Sequence, residues 1–197
     1  MRDACGKQKG YLTVEDVSGI RELIVRDSSI KDLSGIENMT QLLVLALGNS
    51  YNWGGQFVTP NQISDISPLA ELSQLTDLHL NSNQISDISS LANLAQLIRL
   101  YLRDNPIRDY GALSLFEKLL FLETNTLSPG DSDEAVKSIQ KQLIELGYLS
   151  GSMDGKFGPA TAEAVRKAQK AVGYEQSGEI SGSFLLWLYS PVMPRAN

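Results

Sequence analysis

Asn61-Gln-Ile-Ser-Asp-Ile-Ser-Pro-Leu-Ala70 and Asn83-Gln-Ile-Ser-Asp-Ile-Ser-Ser-Leu-Ala92 are one phrase written twice, 22 residues apart. Reading outward from it, Ile20, Leu42, Leu75, Leu97 and Leu119 each open a unit of the form apolar, two variable, apolar, one variable, apolar. The units are separated by 22, 33, 22 and 22 residues, and the long one holds an 11-residue insertion within Gly48–Asn61. Columns stay in phase: Leu23, Leu45, Leu78, Leu100 and Leu122; Val25, Leu47, Leu80 and Leu102; Ile30, Ile63, Ile85 and Ile107. A polar column holds Asn61, Asn83 and Asn105, with Ser28 in that place in the first unit.

Alternation across Leu-x-Leu predicts a strand, and the rest of each unit must return the chain to start the next. One unit offers about six inward apolar side chains at roughly 1.5–3 kcal/mol each. Ordering its backbone costs about 1–2 kcal/mol per residue. A lone unit cannot fold, so neighbours bury each other's faces and the product is a solenoid. A short amide at a tight turn suits the Asn column, because it satisfies backbone groups that would otherwise be orphaned. Ahead of the first unit, Thr13-Val-Glu-Asp16 predicts a capped helix start and an N-terminal cap on the core.

The two Asn-Gln-Ile-Ser-Asp-Ile phrases resemble the 22-residue leucine-rich repeats of bacterial internalin-like proteins, over roughly residues 12–123. The sequence departs from that pattern at Ser90, at Asn105-Pro106 and in the long second unit. The resemblance implies a parallel sheet on a concave face, backed by short helical or irregular returns.

Variable strand positions face outward on such a sheet: Glu22, Ile24 and Arg26; Val44, Ala46 and Gly48; Asp77, His79 and Asn81; Arg99, Tyr101 and Arg103. Tyr101 stands between two Arg and beside His79, so Asp77, His79, Arg99, Tyr101 and Arg103 are the candidate contacts for a protein or glycan partner. A solvated sheet face is the competing reading. The insertion carries Tyr51, Trp53 and Phe57. Trp53 is a candidate anchor for the same partner, and packing on neighbouring repeats is the alternative. The column Asp32, Asp65, Asp87, Asp109 reads as turn capping rather than a cation site.

The repeat stops after Phe121-Leu-Glu, and Thr124-Asn-Thr-Leu-Ser-Pro-Gly130 is a short junction that restricts any arrangement of two domains. A helix is expected over 131–147, capped by Asp131, with Val136, Ile139, Leu143 and Leu146 inward and Gly147 as its stop. Asp154-Gly155 makes a turn, Phe157 plugs the core, and Pro159 opens a second helix running to about Val172. A third helix lies near Phe184–Leu188. The fold class is therefore α+β in two domains, a repeat solenoid plus a small three-helix bundle. Residues 1–124 form the repeat domain, 125–190 the helical domain and 191–197 a tail.

Gly130-Asp131, Val136 with Gln140, Leu146-Gly-Tyr148, Asp154-Gly-x-Phe-Gly-Pro-x-Thr161, Ala164-Val165 and Gln169 resemble the three-helix bacterial peptidoglycan-binding domain, over roughly Leu127–Leu188. The sequence departs from the family at Ala168, at Gln176-Ser177-Gly178 and at Gly182-Ser-Phe184, where Pro-x-Thr is common. The resemblance implies a non-catalytic module holding peptidoglycan beside the 154–161 loop, with Gln140, Tyr148, Asp154, Gly155, Phe157 and Thr161 as candidate binding residues. Turn-making and core-filling are the alternative roles for most of them.

Composition narrows the rest. The chain has 197 residues, one Cys (Cys5), one His (His79) and a net charge of −6. An acidic chain without Lys/Arg runs is a poor nucleic-acid binder. No apolar stretch approaches the ~18–20 residues of a membrane span. One Cys and one His argue against cysteine- or histidine-based metal sites, so no metal or cofactor is expected. No Ser or Cys has a plausible His partner, so no catalytic residue is assigned and an enzyme is not expected. The leading expectation is an exported, cell-wall-associated binding protein. An intracellular interaction scaffold is the alternative, since Met1–Gly10 has no apolar core of a signal peptide. An accessory part of a wall hydrolase is the second alternative.

Overall fold

The computed structural model describes residues 13–48 and 60–196. Helix α1 (Val14–Ser18) opens the described chain with the expected reciprocal cap: the Thr13 hydroxyl accepts from the Asp16 amide and the Asp16 carboxylate accepts from Thr13. Five three-residue strands follow, β1 (Glu22–Ile24), β2 (Val44–Ala46), β3 (Asp77–His79), β4 (Arg99–Tyr101) and β5 (Phe121–Glu123). They form one parallel sheet in chain order. The register aligns Leu23, Leu45, Leu78, Leu100 and Leu122, so each leucine column is a layer of the core. Short 3-10 turns at Ile36–Asn38, Ser67–Glu71, Ser89–Asn93 and Gly111–Leu115 form the returns and bury Ile36, Leu69, Leu91 and Leu113.

Strands this short are held by what lies between them. Asn83 Oδ1 accepts from the Ile63 amide at 3.0 Å while Nδ2 donates to the Leu80 and Leu47 carbonyls at 3.0 and 3.2 Å. Asn61 and Asn105 repeat the pattern one coil before and one coil after. Each amide thus ties its own coil to the preceding one inside the core, where an orphaned backbone group is costly. The Asp column does local work: Asp32, Asp65, Asp87 and Asp109 each accept from the backbone N–H two residues on, at 2.7–2.8 Å. The Ser34 hydroxyl and amide hold the Asp32 carboxyl below its ordinary pKa, and the amides and hydroxyls of Ser67 and Ser89 do the same for Asp65 and Asp87.

Three helices complete the chain: α2 (Glu134–Glu145), α3 (Pro159–Ala171) and α4 (Gly182–Leu188). Helix α2 starts later than the local pattern predicts, with Asp133 rather than Asp131 as its cap. The reason is long-range. Gly130 and Asp131 exchange backbone hydrogen bonds with Phe157, and Ser132 bridges to Lys156, so this stretch is committed to an extended pairing. Pro159 occupies the first turn of α3 as expected, while α4 starts two residues early, capped by Ser181.

The apolar core is continuous across the junction, from Val17 to Met193. Thr124 and Leu127 are buried, and Leu127 pairs antiparallel with Ile180, exchanging backbone hydrogen bonds of 3.0 and 2.8 Å. Residues 191–196 also pack back: Met193 is buried and Ala196 donates to the Leu146 carbonyl.

Candidate functional site

Two surfaces carry the residues that the sequence singles out. The first is the concave sheet. Parallel register sets His79 beside Tyr101, and their rings stack with centroids 4.0 Å apart and planes 8° from parallel. Phe121 pairs in register with Arg99 and reaches Tyr101 diagonally, at 5.0 Å and 42°. The result is an aromatic strip across β3, β4 and β5. Charges flank it. Asp77 pairs with Arg99 and accepts from the Thr76 hydroxyl, and Arg103 lies 3.9 Å from Glu123. Half-exposed arginines make such pairs worth about 0–1 kcal/mol, so they set local charge more than stability. Burial pushes the His79 pKa below its ordinary value, helped by Arg26 and Arg99 and opposed by Asp77 and Glu123.

Some candidates on this face are not available to a partner. Asp77 is buried beneath its arginine, and the outward positions Ala46 and Gly48 of the second coil are buried as well. Trp53, with Tyr51 and Phe57, lies outside the described residues. Sequence reasoning missed Phe121, which is 45% exposed. The fifth coil carries Thr124 where the others hold Val or Leu, which masks its outward positions in the sequence. Beyond Phe121 lies a groove of about 310 Å³ lined by Leu119, Leu120, Tyr174, Ser183, Leu186, Trp187, Ser190 and Val192. Leu120 is 80% and Val192 72% exposed, so the groove has an apolar rim between the last coil and the helices.

The second surface is the loop between α2 and α3. Gln140 is buried on α2 and its amide is engaged at both ends. Nε2 donates to Asp154 Oδ1 at 2.8 Å and to the Lys156 carbonyl at 3.2 Å, while Oε1 accepts from the Gly155 amide at 2.9 Å. Gly155 sits at φ 72°, which the latch requires and a side chain would strain. Phe157 and Thr161 are buried beneath the loop. The same latch appears one helix later: Gln169 Nε2 donates to Ser177 Oγ and the Glu179 carbonyl, and Oε1 accepts from the amide of Gly178, at φ 78°. The repetition marks the latch as architecture.

Gln140, Phe157 and Thr161 thus support the loop from beneath, and Gly155 supplies its left-handed turn. What the loop turns outward is the Asp154 carboxylate, Met153 and Lys156. The Asp154 carboxyl is held below its ordinary pKa by the Gln140 amide and the Lys156 N–H. Tyr148, half-buried nearby in sequence, donates its hydroxyl to the Pro194 carbonyl at 2.7 Å, and burial raises its pKa. Among the described residues no helix is long and apolar enough to cross a membrane.

Comparison with known proteins matches each half separately. Residues 132–188 match the family described as "Putative peptidoglycan binding domain", and residues 61–93 match "Leucine Rich repeats (2 copies)". An internalin (inlF) from Listeria monocytogenes is 34% identical with a TM-score of 0.53, covering 61% of this chain and 33% of the internalin. A second Listeria monocytogenes structure, internalin C2, is 25% identical over 71% of this chain and 67% of its own, with a TM-score of 0.47. An uncharacterized protein from Kitasatospora aureofaciens is 43% identical over 53 residues, which is 26% of this chain and 45% of that protein. The chain spans a third of the first internalin and less than half of the curated relative. The first half is thus an internalin-like leucine-rich repeat region, the second a peptidoglycan-binding type of module, and both are binding modules.

Proposed function

We propose that an internalin-like repeat region joined to a peptidoglycan-binding module makes this chain a wall-associated, non-catalytic binding protein in bacteria. The helical residues 125–190 hold peptidoglycan, and the repeat residues 1–124 present the concave strip to a protein or glycan partner. The observation that carries the reading is the match over 132–188 together with an outward loop that the solenoid leaves uncovered. Contact runs through Asp154, Lys156 and Tyr148, on a loop that Gln140, Gly155, Phe157 and Thr161 hold in shape. Weak single-site binding suffices, because a polymer presents many copies of its repeat. On the other surface, His79, Tyr101 and Phe121 supply the stacking area, and Arg99, Arg103 and Glu123 supply polar contacts.

Co-sedimentation of the full chain with purified insoluble peptidoglycan tests the reading. The full chain pellets with the polymer, and Lys156→Glu, at an exposed side chain outside the latch, reduces the pelleted fraction several-fold without changing the unfolding midpoint. A full chain that stays in the supernatant would favour an interaction scaffold whose helical module does not bind wall. Release of soluble sugar fragments would instead point to a hydrolase.

A further inference from the structure

We infer that the helical module has a second role: it is the C-terminal cap of the repeat solenoid, and the two halves fold as one cooperative body. The last coil of any solenoid presents its core to water unless something covers it. Here the repeat ends on β5, whose Leu122 is nevertheless buried. The first residue of α4 explains how. A Cβ on Gly182 would stand 2.2 Å from the Leu122 carbonyl oxygen and 3.3 Å from the Thr124 nitrogen, so the α4 backbone rests directly on the β5 backbone. Only glycine allows that approach. The proline common at this place in related modules would fill the same space, which gives this departure a physical reason.

Two further contacts close the joint. Ser138 of α2 donates its hydroxyl to Asp109 at 2.8 Å and accepts from the Tyr110 amide at 3.2 Å. The buried Tyr189 hydroxyl lies 2.8 Å from the same oxygen. Its pKa is pushed well up by burial, and that of the buried Tyr110 to about 12. The Leu127–Ile180 pairing stitches the outgoing chain to the segment that enters α4. Capping and wall binding use different sides of the module. Ser138 and Gln140 are two positions apart on α2 and so project about 200° from each other. One points to the solenoid and the other to the 154–156 loop. The capping surface therefore leaves the candidate wall loop free, and it holds the concave strip in a fixed orientation to that loop.

One natural probe sits in each half: His79, the chain's one histidine, and Trp187, which becomes the sole tryptophan in a Trp53→Phe background. Thermal unfolding of the full chain, followed by the His79 imidazole proton signal and by Trp187 fluorescence, gives one coincident midpoint. Gly182→Val lowers both by the same amount, roughly 5–10 °C. Ser138→Ala, which folds more readily, lowers both by a few degrees. Gln140→Ala, whose latch to the 154–156 loop lies on the side of α2 away from the joint, also moves the His79 midpoint. Two separate midpoints would overturn the inference, as would a Gln140→Ala variant that shifts Trp187 alone. Because neither probe reports wall binding, failure here leaves the proposed function standing, and the reverse also holds.

Discussion

The solenoid and the helical module bury polar side chains for the same purpose but by different routes. In the solenoid, Asn61, Asn83 and Asn105 stand on a regular ladder, each tying one coil to the one before it. In the module, Gln140 and Gln169 reach across from a helix to fix a loop around a left-handed glycine. The difference changes what a motif means. In the solenoid the repeating positions are scaffold, and His79, Tyr101 and Phe121 stand at the variable positions between them, half-exposed or exposed on the sheet. In the module the recognisable spacing of Gln140, Gly155, Phe157 and Thr161 is itself scaffold, and the outward residues lie between its fixed points.

Substitutions sharpen that contrast, beginning with the largest effect. Leu78→Ala in the fully buried middle layer removes contacts to both neighbouring coils and costs about 2–5 kcal/mol, measured as a lower urea midpoint. Next come the two kinds of polar tie. Asn83→Ala and Gln140→Ala each leave buried backbone groups unpaired, and each lowers stability by about 1–3 kcal/mol. A Gln140→Ala chain that lost peptidoglycan affinity at unchanged stability would break the comparison, because the amide would then be a ligand group. Tyr101→Ala removes a half-exposed ring and changes stability by less than about 1 kcal/mol. It also uncovers His79, whose pKa rises toward its ordinary value, readable from the imidazole shift against pH.

Acid separates the two layers of the solenoid. The folded pKa of His79 is depressed, so its contribution is whole above the ordinary value of 6.5 and is lost as pH falls through that value toward the folded one. The depressed carboxyls of Asp32, Asp65 and Asp87 contribute fully above their ordinary value of 3.8, and lose that contribution as pH falls below it. Urea midpoints measured against pH therefore show a small decline near pH 6 and a second below pH 4. His79→Gln removes only the first.

The solenoid was readable because its period is local: each leucine column follows from spacing alone, and the Asn column from the chemistry of a tight turn. The late start of α2 was not readable, since Asp131 is a good cap by composition and only its pairing with Phe157, 26 positions away, takes it out of the helix. Phe121 was lost for a related reason, the change to Thr124 at the end of the repeat. The joint at Gly182 left a single trace, a departure from the expected motif whose meaning lay in the Leu122 carbonyl above it.

The most direct test of the division of labour is an amide chemical-shift map of the full chain titrated with soluble peptidoglycan fragments. The account predicts shifts concentrated at Tyr148 and Met153–Lys156, with Ala46, His79, Tyr101 and Phe121 unmoved. Shifts centred on β3, β4 and β5 would place the wall ligand on the repeat face and contradict it.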